Sequence, residues 1–229
     1  MLKGWRCHAT APRRGALVWL HGIADNHESG AGLVERFGRR GFDVVAYDSR
    51  ANGESGGDAC TYGYYEKQDL RRVVDTIAPG PVVVIGASLG GAVALQEAAD
   101  DPRITSVVAA ETFSDLRTVA MERTPALLRG SLLQNAFDRA EIDGHFSIDA
   151  VSPVRAAARI RVPVLLIHGD ADVDTRPEHS RRIFEALQGP KRLILVPGAT
   201  HNRSLRSEVW ADIDRWIDQV IASPGTLAH

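Results

Sequence analysis

Cysteine is scarce. Cys7 and Cys60 are the only two in 229 residues, too few for a disulfide framework, and no Cys/His cluster has metal-ligand spacing. Such sparing use fits a reduced, cytoplasmic setting; a mature chain that had lost a leader would read the same. Long apolar runs are missing too. The longest, residues 82–87 and 162–167, fall far short of the roughly 20 residues that a spanning helix needs. Residues 1–8 lack an apolar h-region and a small-residue cleavage site, so no secretory signal is expected. Charge of one sign is absent as well: 27 Lys and Arg against 29 Asp and Glu leave a net −2, with no basic run. Nothing here draws the chain to nucleic acid or to an anionic membrane surface. A neutral or weakly charged small molecule is the expected partner.

What is present is an alternation. Short apolar runs at residues 16–21, 43–47, 82–85, 106–110, 162–167 and 192–196 read as strands. Amphipathic or small-residue stretches at 28–40, 65–78, 89–99, 177–187 and 208–221 read as helices between and after them. That order predicts one α/β domain over residues 1–229, a mostly parallel sheet with helices on both faces. One segment, about 112–160, lacks β-rich runs. It holds an apolar cluster of Leu127, Leu128, Leu132, Leu133 and Phe137 among turn residues Pro125, Gly130 and Gly144. Ordinary helical packing is one reading; a small helical cap over an active site is the other. No internal repeat or low-complexity tract interrupts the pattern.

Chemistry enters at Gly86-Ala87-Ser88-Leu89-Gly90. In Gly-x-Ser-x-Gly the serine occupies a sharp, strained strand-to-helix turn, and the glycines let strand and helix approach. By composition alone such a pentapeptide arises about 0.1 times in a chain of this kind. Its setting adds more: the buried-strand run 82–85 precedes it and the small apolar stretch 89–99 follows.

A serine hydroxyl is a weak nucleophile near neutral pH and needs a base oriented by a third group. His201 lies in a loop after the last strand-like run, and His168-Gly169-Asp170-Ala171-Asp172-Val173-Asp174 follows the run before it. Three carboxylates compete for the acid. Asp170 follows the strand at once and suits the turn, Asp172 sits where a loop can carry it to an imidazole, and Asp174 is the weaker candidate. A calcium loop fits the alternating aspartates less well, because Thr175 and Arg181 stand where Gly and Glu are needed. Two backbone N–H groups must meet the developing oxyanion. Leu89 follows the nucleophile, and Ile23 lies in the loop His21-Gly22-Ile23-Ala24 after the first central strand. His21 is expected to brace that loop.

Taken in order, His21-Gly22, the stretch from Asp48 to Ser55, Gly86 to Gly91, His168 to Asp172, and Gly198 to Asn202 resemble the landmarks of the α/β-hydrolase superfamily. They span about residues 16–221. The stretch 152–169 is similar to esterases and to the catalytic domains of prolyl-oligopeptidase-like peptidases. The resemblance implies a three-layer α/β-hydrolase fold, Ser88 as nucleophile, Asp172 as acid, His201 as base, and Ile23 and Leu89 as oxyanion donors, with no cofactor and no metal. It also implies that Asp48, Arg50, Gly53 and Ser55 form a structural loop. Two departures are evident. Ala51-Asn52-Gly53 replaces the commoner Gly-His-Gly, and the N-terminal strand region must shrink to about one strand near residues 5–10. A modest cap implies a small, fairly open acyl pocket. The expected activity is hydrolysis of carboxylic esters with small to medium acyl groups; a peptidase or amidase comes second, a thioesterase third, and a non-catalytic binder last.

Overall fold

A computed structural model describes residues 1–222. The strands are β1 (Gly4–Cys7), β2 (Gly15–Leu20), β3 (Phe42–Tyr47), β4 (Val82–Ala87), β5 (Ile104–Ala110), β6 (Val164–Gly169) and β7 (Lys191–Val196). They form one sheet in the order β1-β3-β2-β4-β5-β6-β7, parallel throughout except for β1, which runs antiparallel to β3. The helices are α1 (Ala31–Gly38), α2 (Glu66–Val74), α3 (Leu89–Ala98), α4 (Leu116–Arg123), α5 (Ser131–Gly144), α6 (Pro153–Ala157), α7 (Glu178–Ala186) and α8 (Ser207–Ala222).

The central strands are buried on both faces, and the period of two in a strand distributes their side chains between two cores. In β2, Leu17 and Trp19 join one core and Val18 and Leu20 the other. The first core holds Phe37 of α1 and Ile213, Trp216 and Ile217 of α8. The second holds Leu70 of α2, Val93 and Leu95 of α3, and Ile183 of α7. Helix α3 is buried along its whole length, which explains why it is small and apolar on every side.

Three local differences from the sequence expectation have physical causes. The N-terminal strand ends at Cys7, because the Ala9 N–H turns away to the Asp43 carboxylate. Strand β6 begins at Val164 because Pro163 has no N–H; its carbonyl instead accepts from the Val107 N–H and the Ser106 hydroxyl. In the segment between β5 and β6, Phe137 packs with Phe113, Leu116 and Val151, whereas Leu127, Leu128 and Leu132 are exposed.

The sheet order also fixes where a site can form. The chain runs outward from β2 to β3, then returns to the other side of β2 at β4. At such a reversal the loops leaving the carboxyl ends of the two strands diverge and leave a crevice. Ser88 leaves β4 and the loop of Ile23 leaves β2, so both border it.

Candidate active site

The serine turn is held by backbone contacts that exclude side chains. A Cβ on Gly86 would lie 2.3 Å from the Gly90 carbonyl, and one on Gly90 would lie 2.1 Å from the Leu20 oxygen. Gly90→Ala is therefore expected to lose about 3 kcal/mol of unfolding free energy or to leave no folded protein, as read by chemical denaturation. Ser88 itself has φ +49°, a conformation costing about 1–3 kcal/mol for a residue with a Cβ. Its N–H donates to the Ala110 carbonyl at 2.7 Å and its carbonyl accepts from the Thr112 hydroxyl at 2.8 Å, so the surroundings over-determine the strained turn.

Ser88, His201 and Asp172 come from the ends of three strands and meet in one hydrogen-bonded chain. His201 Nε2 lies 3.2 Å from Ser88 Oγ, and His201 Nδ1 lies 2.7 Å from Asp172 Oδ2. A carboxylate can only accept, so Nδ1 carries the proton and Nε2 is left to accept from the serine hydroxyl. The other oxygen of Asp172 accepts the Asp174 and Thr175 N–H groups, each at 2.9 Å. Burial alone would push the Asp172 carboxyl up. Hydrogen bonds from its histidine neighbours and the Thr175 N–H outweigh burial and hold it well below the usual carboxylate range. Burial likewise pulls the His201 imidazole down, but the Asp172 bond and charge raise it above its ordinary value.

The other aspartates go elsewhere. Asp170 Oδ1 accepts the Gly198 N–H at 2.7 Å and fastens the two loops after β6 and β7. Asp174 lies on the wall of the cleft. His168, fully buried, has its Nε2 2.7 Å from the Thr175 carbonyl and its Nδ1 2.6 Å from the Ser180 hydroxyl. Nε2 is also 3.4 Å from Asp172 Oδ2, but the shorter contact to Thr175 is the principal bond. His168 thus backs the loop that carries Asp172.

Ile23 lines the same cleft as Ser88, and Leu89 follows Ser88 as the first residue of α3. Among the described residues neither backbone N–H is engaged by another protein group, so both are free to donate. His21 braces the first loop: its Nε2 accepts the Ser49 N–H at 2.9 Å, and its Nδ1 is 2.6 Å from the Gly22 carbonyl. A second histidine, His27, ties the same loop to Asp48, whose Oδ2 also accepts the Glu54 N–H.

These groups open on a cleft of about 450 Å³ lined by Ile23, Ser88, Glu122, Arg123, Val173, Asp174, His201 and Asn202. Six of these eight residues are polar or charged. Glu122 and Arg123, at the end of α4, lie in the irregular segment, where no motif marked them. Arg123 donates to the Asp174 carbonyl at 2.7 Å and to the Thr175 hydroxyl at 2.8 Å, which joins α4 to the acid loop. A larger groove, of about 690 Å³, lies at the far sheet edge between β1 and α2. It holds none of Ser88, Asp172 and His201.

The arrangement supplies a hydroxyl with an acceptor nitrogen beside it and two free N–H donors nearby, which suits attack on a carbonyl. Comparisons with known proteins agree with this architecture. Residues 15–151 match the family described as alpha/beta hydrolase fold. The uncharacterized protein YfhR of Escherichia coli O157:H7 is 31% identical over 210 residues, which cover 87% of this chain and 69% of that one. The chain spans about two thirds of the length of such curated relatives. Among solved structures, the monoacylglycerol lipase of Paleococcus ferrophilus is 25% identical, with a TM-score of 0.71 over 96% of this chain and 99% of the other. Est1E of Butyrivibrio proteoclasticus, solved with ferulic acid, gives 0.79 at 16% identity over 97% and 96%. Sheet order, serine turn and family match converge: the chain belongs to the α/β-hydrolase fold family.

Proposed function

We propose that the chain is a serine hydrolase that cleaves carboxylic esters of small to medium acyl groups through an acyl-enzyme on Ser88. One observation carries the reading: the unbroken chain from Ser88 Oγ through His201 to Asp172, at 3.2 and 2.7 Å, opening on the cleft. Ser88 attacks the carbonyl carbon while His201 Nε2 takes the hydroxyl proton. Asp172 holds the imidazole in the accepting tautomer and stabilises its charged form. The Ile23 and Leu89 N–H groups receive the oxyanion. The imidazolium then protonates the leaving alkoxide, and water, activated by the same histidine, releases the acid. The helices between β5 and β6 act in this reading as a small cap, with Glu122 and Arg123 of α4 facing the substrate. The esterase and lipase names among the structural neighbours support an ester over an amide.

Three measurements on one preparation test the proposal. A fluorophosphonate probe should phosphonylate the peptide containing Ser88, with fluoride leaving phosphorus and the serine proton lost, so that the peptide gains the mass of the probe less HF. p-Nitrophenyl esters from acetate to octanoate should turn over faster than an aminoacyl anilide. The base must be neutral and its pKa is raised, so kcat/KM should fall on acidification with a midpoint above the ordinary histidine value of ~6.5. Absence of labelling at Ser88 would sink the reading; faster anilide turnover would replace the esterase with an amidase.

A further inference from the structure

The residue after β5 is Glu111, which is only 2% exposed and has φ +53°. A buried carboxylate in a strained turn persists only where its partners hold it there. Its own N–H donates to the Ile167 carbonyl of β6 at 2.8 Å, which fixes its backbone between two central strands. Its side chain meets no cation at ion-pair distance among the described residues. Instead it accepts three consecutive backbone N–H groups: Asn202 on Oε2, and Arg203 and Ser204 on Oε1 at 3.2 and 2.8 Å. These are the residues that follow His201. Asn202 is itself in the left-handed region, at φ +62°, so the base loop turns sharply at the point where the carboxylate grips it.

We infer that Glu111 is a positioning residue for His201, its carboxylate clamping residues 202–204 so that the imidazole stays in register with Ser88 and Asp172. The inference rests on the serine-hydrolase reading of the site. The clamp joins the end of β5 to the stretch after His201, beyond the Asp170–Gly198 bond that holds the stretch before it, and charge-assisted bonds to neutral amides give it strength. Glu111 therefore also acts on His201 as a charge. The groups facing the imidazole are Asp172 on its Nδ1 side, Glu111 behind the loop, Arg123 from α4, and Asp174 and Glu122 on the cleft walls. Burial disfavours the imidazolium; Asp172 and Glu111 favour it, and Arg123 opposes them.

Glu111→Gln keeps the side-chain length and one acceptor oxygen but removes the charge and turns an NH2 group toward one of the amides. The readouts are its melting curve, kcat and KM on a short ester, and an NMR titration of the His201 ring nitrogens. The expected result is a folded protein with kcat down by about 10- to 100-fold, in line with small misplacements of a reacting group, and KM within about threefold. The His201 midpoint and the acidic limb of activity should both move to lower pH, because an anion that favoured the charged ring is gone. A brace with no part in the site would leave that midpoint in place. Folded Glu111→Gln with wild-type kcat and an unmoved midpoint overturns the inference. If that variant does not fold, Glu111→Asp keeps the charge and shortens the reach; kcat should fall several-fold at unchanged KM, and a wild-type kcat overturns the inference. Should the wild type neither label nor turn over esters, the hydrolase reading fails by itself. The titration then still decides the clamp: a lowered midpoint supports it, an unmoved one overturns it.

Discussion

Ser88→Ala is expected to remove ester turnover almost completely, by on the order of 10⁶ in kcat, while leaving the protein folded. Two features of the turn separate chemistry from stability. The Ser88 hydroxyl has His201 as its hydrogen-bond partner, whereas the bonds that hold the turn come from the Ser88 backbone to Ala110 and Thr112. Alanine keeps those bonds and the same positive φ. The melting temperature should thus stay within a few degrees of the wild type, and fluorophosphonate labelling should vanish. Stopped assays on acetate esters and intact-protein mass spectrometry check both halves. Turnover within tenfold of the wild type in the alanine variant would mean that another group attacks the substrate.

The second large effect is expected at Asp172, with Asp170 as its control. Asn at position 172 can keep its oxygen on the Asp174 and Thr175 N–H groups, which then turns its NH2 toward His201. Nδ1 must then accept, the ring proton moves to Nε2, and Nε2 can no longer take the serine proton. A loss of about 10⁴ in kcat is expected from the wrong tautomer alone. Asp170→Asn retains an oxygen for the Gly198 N–H and should cost less than about tenfold. A reversed order, with the 170 variant inactive and the 172 variant active, would move the acid to Asp170.

Much of this was legible in the sequence because it depends on short-range rules. A parallel strand buried on both faces must be apolar throughout, so β2, β4 and β6 read as runs. A helix that starts at a strained serine and packs on strand backbone must carry glycine at its first turns, so the motif 86–90 stood out. The candidate acid and base could be placed because they follow strands that were themselves recognisable. What was not legible depends on contacts between distant segments. Glu111 has no neighbour in sequence that marks it; its role comes from three amides some ninety residues away. Arg123 and Glu122 belong to an irregular segment whose fold is set by tertiary packing. His168 was visible within its His-Gly-Asp stretch, but its backing of the Asp172 loop needs that loop to curl back over the strand end. In the same segment Leu127, Leu128 and Leu132 are exposed while Phe137 is buried, a division that weak periodicity does not announce.

The sheet order carries one more consequence. Ser88 and the loop of Ile23 hang from β4 and β2 in the interior of the sheet, while His201 follows β7 at its rim. Rim strands have a partner on one side only and open more readily than central ones. Fraying of β7 is therefore expected to break the Asp170–Gly198 bond and the Glu111 clamp before it can move His201, while the serine turn, bonded to the end of β5, stays in place. Ser88 and His201 are 113 residues apart, so their contact is non-local and the chain between them must close before the pair can form. If the proposed function holds, ester turnover is expected to recover during refolding no earlier than the central sheet does.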